Sequence, residues 1–196
     1  MNKDLMISAF WISLVLGVAI HGCATNQSKT DSVKAPSVDK VTPSDPPYSG
    51  VVTFIPESNE KEEIMMVTAA TDKVNKTIKS KCFQDFILKR DMIQTNGQSN
   101  EQVLRTILSA KGTIKVKFYK KWRSTEIAVR YAPSTDINFN RSYWTGITDT
   151  CHWASTLAHE GIGHVLGGYD HDFLYNAKRD FSVPYSINKA FDACCE

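Results

Sequence analysis

The sequence predicts an α+β domain: helices first, then a small mixed or antiparallel sheet, then a histidine-bearing helix beneath that sheet. Three observations predict it. Apolar residues recur at helical spacing between Lys61 and Lys111. Apolar–polar alternation then takes over in Thr113–Tyr119 and again in Thr125–Tyr131. Beyond Asp149 a helical apolar stripe returns, and three of the five histidines fall within residues 159–171. The 196-residue chain is 42% hydrophobic and 22% charged, with a net charge of +2. That composition supports one ordinary core and gives no reason to expect a nucleic-acid partner. The basic cluster Lys115, Lys117, Lys120, Lys121 and Arg123 reads as the solvated side of strands.

The ends of the chain differ in kind. Leu5–Ile20 is an apolar run after Lys3, too short and too close to the N-terminus for a membrane-spanning helix, and residues 1–22 read as an export signal. The run closes on Ile20-His21-Gly22-Cys23, which resembles a bacterial lipobox. By that resemblance Cys23 is the lipidated first residue of the mature chain, held in a bilayer by its acyl groups. Residues 23–49 are rich in Ser, Thr, Asp, Lys and Pro and nearly free of large apolar side chains. Such a stretch buries too little surface to offset its ordering entropy and reads as a tether. The expected product is an exported lipoprotein on a bacterial membrane, the outer membrane by preference, facing the periplasm or the surface. The folded domain is expected over residues 50–196, as a monomer.

Within that domain the elements follow from local patterns. Val51–Ile55 is a strand closed by Pro56. Lys61–Lys79 is a helix with Ile64, Val67, Ala70 or Thr71, Val74 and Ile78 on one face. A second helical piece runs from Cys82 through Ile87 and Leu88 to Ile93, and Asn96-Gly97 marks a turn. Ser99 or Asn100 caps a third helix that points Val103, Leu104, Ile107 and Leu108 inward. Thr113–Tyr119 and Thr125–Tyr131 are expected to pair with each other, and Ile137–Asn140 to form a short edge strand. The histidine helix is capped at Asp149 or Thr150 and stopped by Gly167-Gly168. A last helix starts near Pro184 and carries Ile187, Ala190 and Phe191.

Apart from Cys23, four cysteines remain: Cys82, Cys151, Cys194 and Cys195. Four cysteines allow three pairings. A bridge between the adjacent Cys194 and Cys195 is strained, which leaves Cys82 and Cys151 each joined to one of the terminal pair, in either order. Both arrangements staple the last helix to the second helix and to the start of the histidine helix, as an oxidising compartment permits.

The chemistry concentrates in His159-Glu160-Gly-Ile-Gly-His164-Val-Leu-Gly167-Gly168-Tyr169-Asp170-His171. Histidines on one helix face, a neighbouring glutamate and a further ligand past a glycine turn are what a catalytic zinc site requires. The spacing departs from the usual i, i+4. At i and i+5 in a regular α-helix, His159 and His164 diverge by about 140° and cannot share a metal. A π-type distortion between them restores the common face, and Gly161 and Gly163 stand where it costs least. His152, seven residues before His159, reads as a capping or surface histidine.

His159-Glu160-x-x-x-His164-x-x-Gly167…His171 resembles the zincin metallopeptidases, most closely the metzincin branch, over about residues 150–172. The resemblance implies Zn2+ held by His159, His164 and a third ligand, His171 in preference to Asp170, with Glu160 as general base. It implies a glycine turn at Gly167 and endopeptidase chemistry, in which Glu160 activates a zinc-bound water against a protein or peptide substrate. Tyr169, Tyr175 and Tyr185 are candidate oxyanion donors, and Ile137–Asn140 a candidate strand for holding substrate. The methionine that metzincins place beneath the metal is missing, since the last methionine is Met92. The alternative function is a non-catalytic lipoprotein, either metal-binding or a disulfide-stapled binding module. Glu160 and His164, at i, i+4, are an alternative pair for a different metal.

Overall fold

The computed structural model describes residues 50–121, 127–130, 134–143, 149–171 and 177–196. The export signal, the Cys23 lipidation site, the tether, Arg123 and Tyr175 lie outside the described residues. Among the described residues no helix is long and apolar enough to cross a membrane.

The domain is α+β, as its patterning predicts. Four strands, β1 (Val52–Glu57), β2 (Gly112–Tyr119), β3 (Ala128–Arg130) and β4 (Ile137–Asn140), form one sheet in the order β1-β2-β4-β3. β1, β2 and β4 are parallel, and β3 runs antiparallel to β4. Parallel neighbours need a long crossover. Three helices fill the one between β1 and β2: α1 (Lys61–Thr77), α2 (Lys81–Lys89) and α3 (Asn100–Ser109).

The expected β2–β3 pairing is replaced by a β3–β4 pair, and Ile137–Asn140 is an interior strand, not an edge. Burial explains the order. Ile137 and Phe139 are fully or nearly fully buried, whereas all three residues of β3 are half-buried and one is Arg130. The strand with more apolar surface takes the inner place, and the short charged one takes the edge. Asn140 closes β4 from within the core. Its side chain accepts from the Lys121 and Ser142 amides, at 3.1 Å each, and donates to the Lys121 carbonyl at 3.2 Å. At the opposite edge the Asn75 side chain bonds both the amide and the carbonyl of Val52, at 3.0 and 2.8 Å, and so caps part of that edge. Lys115 and Lys117 make cross-strand ion pairs with Glu57, at 2.6 and 3.8 Å, and Lys117 also pairs with Asp136. Lys115 and Lys117 of the basic cluster thus lie on a solvated strand face.

The helices keep their predicted limits within a few residues. Ser99 caps α3 with a complete capping box through Gln102, and Val103, Leu104, Ile107 and Leu108 all point inward. α2 is shorter than expected: it stops at Lys89, and Ile93 instead forms an isolated parallel bridge with Ser182. α1 buries Glu63 and leaves Ile64 39% exposed, the reverse of the periodic reading. Glu63 is tolerated inside because Arg141 Nε lies 2.7 Å from its carboxylate.

α4 (Thr150–Leu157) is capped by Asp149, whose side chain accepts from the Cys151 amide. It lies under the sheet, with Trp153 against Phe139 at 5.1 Å between ring centroids. α5 (Val183–Cys194), with Pro184 in its first turn, closes the layer and sets Phe191 edge-on to Phe83 of α2 at 5.7 Å. Disulfides join Cys82 to Cys194 and Cys151 to Cys195, with Cα atoms 5.7 and 5.8 Å apart. One of the two orders left open by the sequence is thereby selected, and α5 is tied to both α2 and α4.

Candidate metal centre

The helix α4 does not end at Leu157. It continues from Ala158 to Leu166 as a π-helix, and the Gly167 amide donates to the Ile162 carbonyl, five residues back, at 2.9 Å. The wider turn absorbs the extra residue between the histidines. The rings of His159 and His164 meet at 5.0 Å between centroids instead of diverging. The distortion extends over nine residues, well beyond a single bulge.

Glycines make room for this wider helix. A Cβ on Gly161 would stand 2.5 Å from Phe54 of β1, and one on Gly163 would stand 3.1 Å from Pro184 of α5. The segment is thus wedged between sheet and α5, and these glycines serve close packing. The sharp turn belongs to Gly168, at φ +67°, while Gly167 keeps a helical backbone (φ −83°, ψ −24°). The turn carries the chain back so that His171 faces the other two histidines.

His159, His164 and His171 each offer one ring nitrogen, and these atoms all lie within 4.8 Å of one another. Among the described residues this is the group able to hold a metal ion. His171, not Asp170, completes it. Asp170 is 89% exposed and its carboxylate is 3.8 Å from His164 Nδ1. That nitrogen is already engaged with the Tyr169 carbonyl oxygen at 2.6 Å. Nδ1–H therefore donates to a backbone carbonyl and Nε2 is left as the free lone pair, the arrangement in which a histidine serves a metal.

The surroundings keep the cluster ready to ligate. Burial holds His159 well below the usual imidazole range, helped by the neighbouring His164 and His171, and burial likewise lowers His164. Neutral imidazoles are the ligand form. His159 Nδ1 is buried without a hydrogen-bond partner, although the Pro184 backbone works weakly against the shift. Three convergent imidazoles, one of them fixed by a turn carbonyl, have the donor chemistry to hold a metal ion. Glu160, half-buried beside His159, is raised from 4.5 to about 7 by burial, with Arg130 pulling the other way.

Of the candidate tyrosines, Tyr185 of α5 stands at the centre, its ring 4.9 Å from those of both His159 and His171. Tyr169 does not: it is fully buried, and its hydroxyl donates to Gln98 at 2.6 Å. His152 is half-buried, edge-on to Trp153 at 5.8 Å, and is neither a surface residue nor a member of the cluster.

Several contributors escape sequence reasoning. Asn96 donates to the Gly168 carbonyl at 3.2 Å and Gln98 accepts from Tyr169, so the loop before α3 braces the turn that presents His171. Gln94 and Asn96 both have φ of 55°, backbone strain of the kind found beside functional sites. Only Asn96-Gly97 gave a local turn signal. Arg130, at the end of β3, gave none. No family model, curated protein or solved structure matches the chain.

Proposed function

We propose that the three-histidine centre, with Glu160 beside it, is the active site of a zinc-dependent endopeptidase of zincin type. The observation that carries this reading is the convergence of His159, His164 and His171 through a π-helical segment in which Glu160 directly follows the first of them. A motif one residue too long for an α-helix still produces the constellation, and it does so at the expense of regular helix geometry.

His159, His164 and His171 would hold the zinc ion, which supplies Lewis acidity, lowering the pKa of a water and polarising a peptide carbonyl. The remaining work falls to the chain. Glu160, with a carboxyl near neutrality, accepts a proton from the attacking water at its carboxylate oxygen and returns it to the departing amine nitrogen. A C–O bond forms as the C–N bond breaks, and no proton is gained or lost overall. Tyr185, edge-on to two of the histidines, is the tyrosine assigned to donate its hydroxyl to the developing oxyanion. β3 is the terminal strand of the sheet among the described residues and lies on the side of the π segment, so an extended substrate adds to it by strand pairing. This role was expected of Ile137–Asn140 and passes to its neighbour.

The enzyme in this reading is an exported lipoprotein: the two disulfides favour an oxidising compartment, and Ile20-His21-Gly22-Cys23 supplies the anchor. It acts as a monomer on protein or peptide substrates. Metal analysis of the oxidised full chain tests it. One zinc per chain is expected in the parent and in Glu160→Gln, with peptide-library cleavage in the parent alone. Cleavage surviving in Glu160→Gln, or a folded chain that takes up no zinc, would overturn it.

A further inference from the structure

Arg130 is the last residue of the terminal strand β3, in register with Ile137 of β4. It is half-buried, and its Nη1 reaches the His164 carbonyl at 3.4 Å. That is a long contact to an oxygen that already accepts from the Gly168 amide at 3.2 Å. A guanidinium has five N–H donors in a planar fork, and among the described residues it spends one, weakly. No described carboxylate forms an ion pair with it, Glu160 included. Asp170, whose carboxylate lies 3.8 Å from His164, points to solvent at 89% exposure.

Arg130 thus brings a half-buried guanidinium to the histidine centre, beside the edge where an extended peptide would lie, and among the described residues no carboxylate meets it. A planar fork matches a carboxylate in two parallel hydrogen bonds. The carbonyl has a lone pair for each donor, so Arg130 also helps to close the end of the π segment, but at 3.4 Å that contact uses one of its five N–H groups and leaves the rest of the fork for a ligand.

Resting on the endopeptidase reading, we infer that Arg130 is a specificity determinant that receives a substrate carboxylate, from an Asp or Glu side chain or the chain's own C-terminus, close to the scissile bond. Strand pairing advances about 3.3 Å per residue, so the carboxylate lies within two or three residues of the bond that is cut. The substrates are thus acidic peptides or peptides cut near their C-terminal end.

The test uses the zinc-loaded full chain carrying Glu160→Gln, which binds substrate without turning it over. Random octapeptide pools, one with free C-termini and one with amidated C-termini, are captured on it and read by mass spectrometry. Asp or Glu at one position should be enriched about tenfold in the amidated pool if the side chain is the source. Preferential capture of the free-C-terminus pool, without a preferred position, assigns the α-carboxylate instead. Adding Arg130→Gln should abolish either preference while zinc content stays at one per chain, and adding Arg130→Glu should replace it with Lys or Arg. Absence of any carboxylate preference, or one that survives Arg130→Gln, overturns the inference. Incubating the captured peptides with the unsubstituted chain separates the two ideas. Peptides bound through Arg130 but left intact would sink the peptidase and leave the carboxylate site standing. Cleavage indifferent to charge would do the opposite.

Discussion

His164 Nδ1 lies 2.6 Å from the backbone carbonyl oxygen of Tyr169. The bond joins the end of the π segment to the turn that follows it, so one contact sets the tautomer of a histidine and the position of the loop leading to His171. Gly168 makes the turn possible at φ +67°, and a Cβ there would meet nothing within 4 Å. Gly168→Ala thus tests backbone conformation without steric interference. We expect a loss of about 1–2 kcal/mol in stability from the left-handed strain and zinc affinity weakened by about tenfold or more. Denaturant melts and competition with a calibrated chelator measure the two quantities. Unchanged affinity would show that the turn does not position the ligands.

Gly161 tests packing instead. Its added Cβ would fall 2.5 Å from one Phe54 ring carbon, 2.7 Å from another and 3.0 Å from Ile114. Phe54 is 3% exposed and Ile114 1% exposed, so neither side chain has room to retreat. Gly161→Ala should cost about 2–3 kcal/mol, and Phe54→Leu in the same chain should recover part of it. The double-mutant cycle by urea melts checks the coupling. Additive losses would mean that the π segment does not seat on β1 as described.

Much of this was legible in the chain because it is local. The i, i+5 spacing of His159 and His164 calls for a π distortion if the two are to share a metal, and Ser99 or Asn100 marks the start of α3. What was not legible depends on distant residues. Glu63 turns inward because Arg141, 78 positions away, meets it, and no helical period can encode that. β4 takes the sheet interior because β3 is shorter and carries Arg130, a comparison between strands that alternation within each cannot make. Gly167 and Gly168 are equivalent as letters, but the first still donates its amide to the Ile162 carbonyl within the π segment, and the left-handed φ falls on the second. Tyr185 joins the site because Pro184 packs on Gly163, a contact between two helices.

The two disulfides give a third prediction. Each fastens the end of α5, the helix that carries Tyr185 over the histidines. Replacing Cys151 and Cys195 together by serine should cost about 2–4 kcal/mol, as should replacing Cys82 and Cys194. Cross-linked peptides from the non-reduced chain should contain Cys82 with Cys194 and Cys151 with Cys195 when fragmented between the adjacent cysteines. The swapped pairing would contradict the placement of α5.

Glu160 gives a fourth, read in the presence of a chelator. Burial raises its carboxyl from 4.5 to about 7, so between those values the folded chain binds more protons than the unfolded one. Stability of the metal-free protein should fall as pH rises through that window and level off above it. Glu160→Gln has no charge to bury. It should match the parent near pH 4 and exceed it by about 2 kcal/mol at pH 8, a figure reduced for the partial exposure of the side chain. Urea melts across the range measure the difference. Parallel stability curves for the two proteins would show that the carboxyl is not held in a low-dielectric setting.

The identity of the third ligand gives the last. Asp170 and His171 are adjacent and both close to His164, yet they approach it from different sides. The Asp170 carboxylate lies 3.8 Å from His164 Nδ1, the nitrogen already committed to the Tyr169 carbonyl, whereas His171 offers a ring nitrogen to the same space as its two partners. His171→Ala should therefore lose zinc as completely as His164→Ala, and Asp170→Ala should keep about one zinc per chain with affinity within a few fold of the parent. An Asp170 carboxylate drawn in as ligand would reverse that order, because removing an anionic oxygen donor would empty the centre while His171→Ala left it filled. Metal content by mass spectrometry, run beside circular dichroism to establish that each variant folds, decides between them.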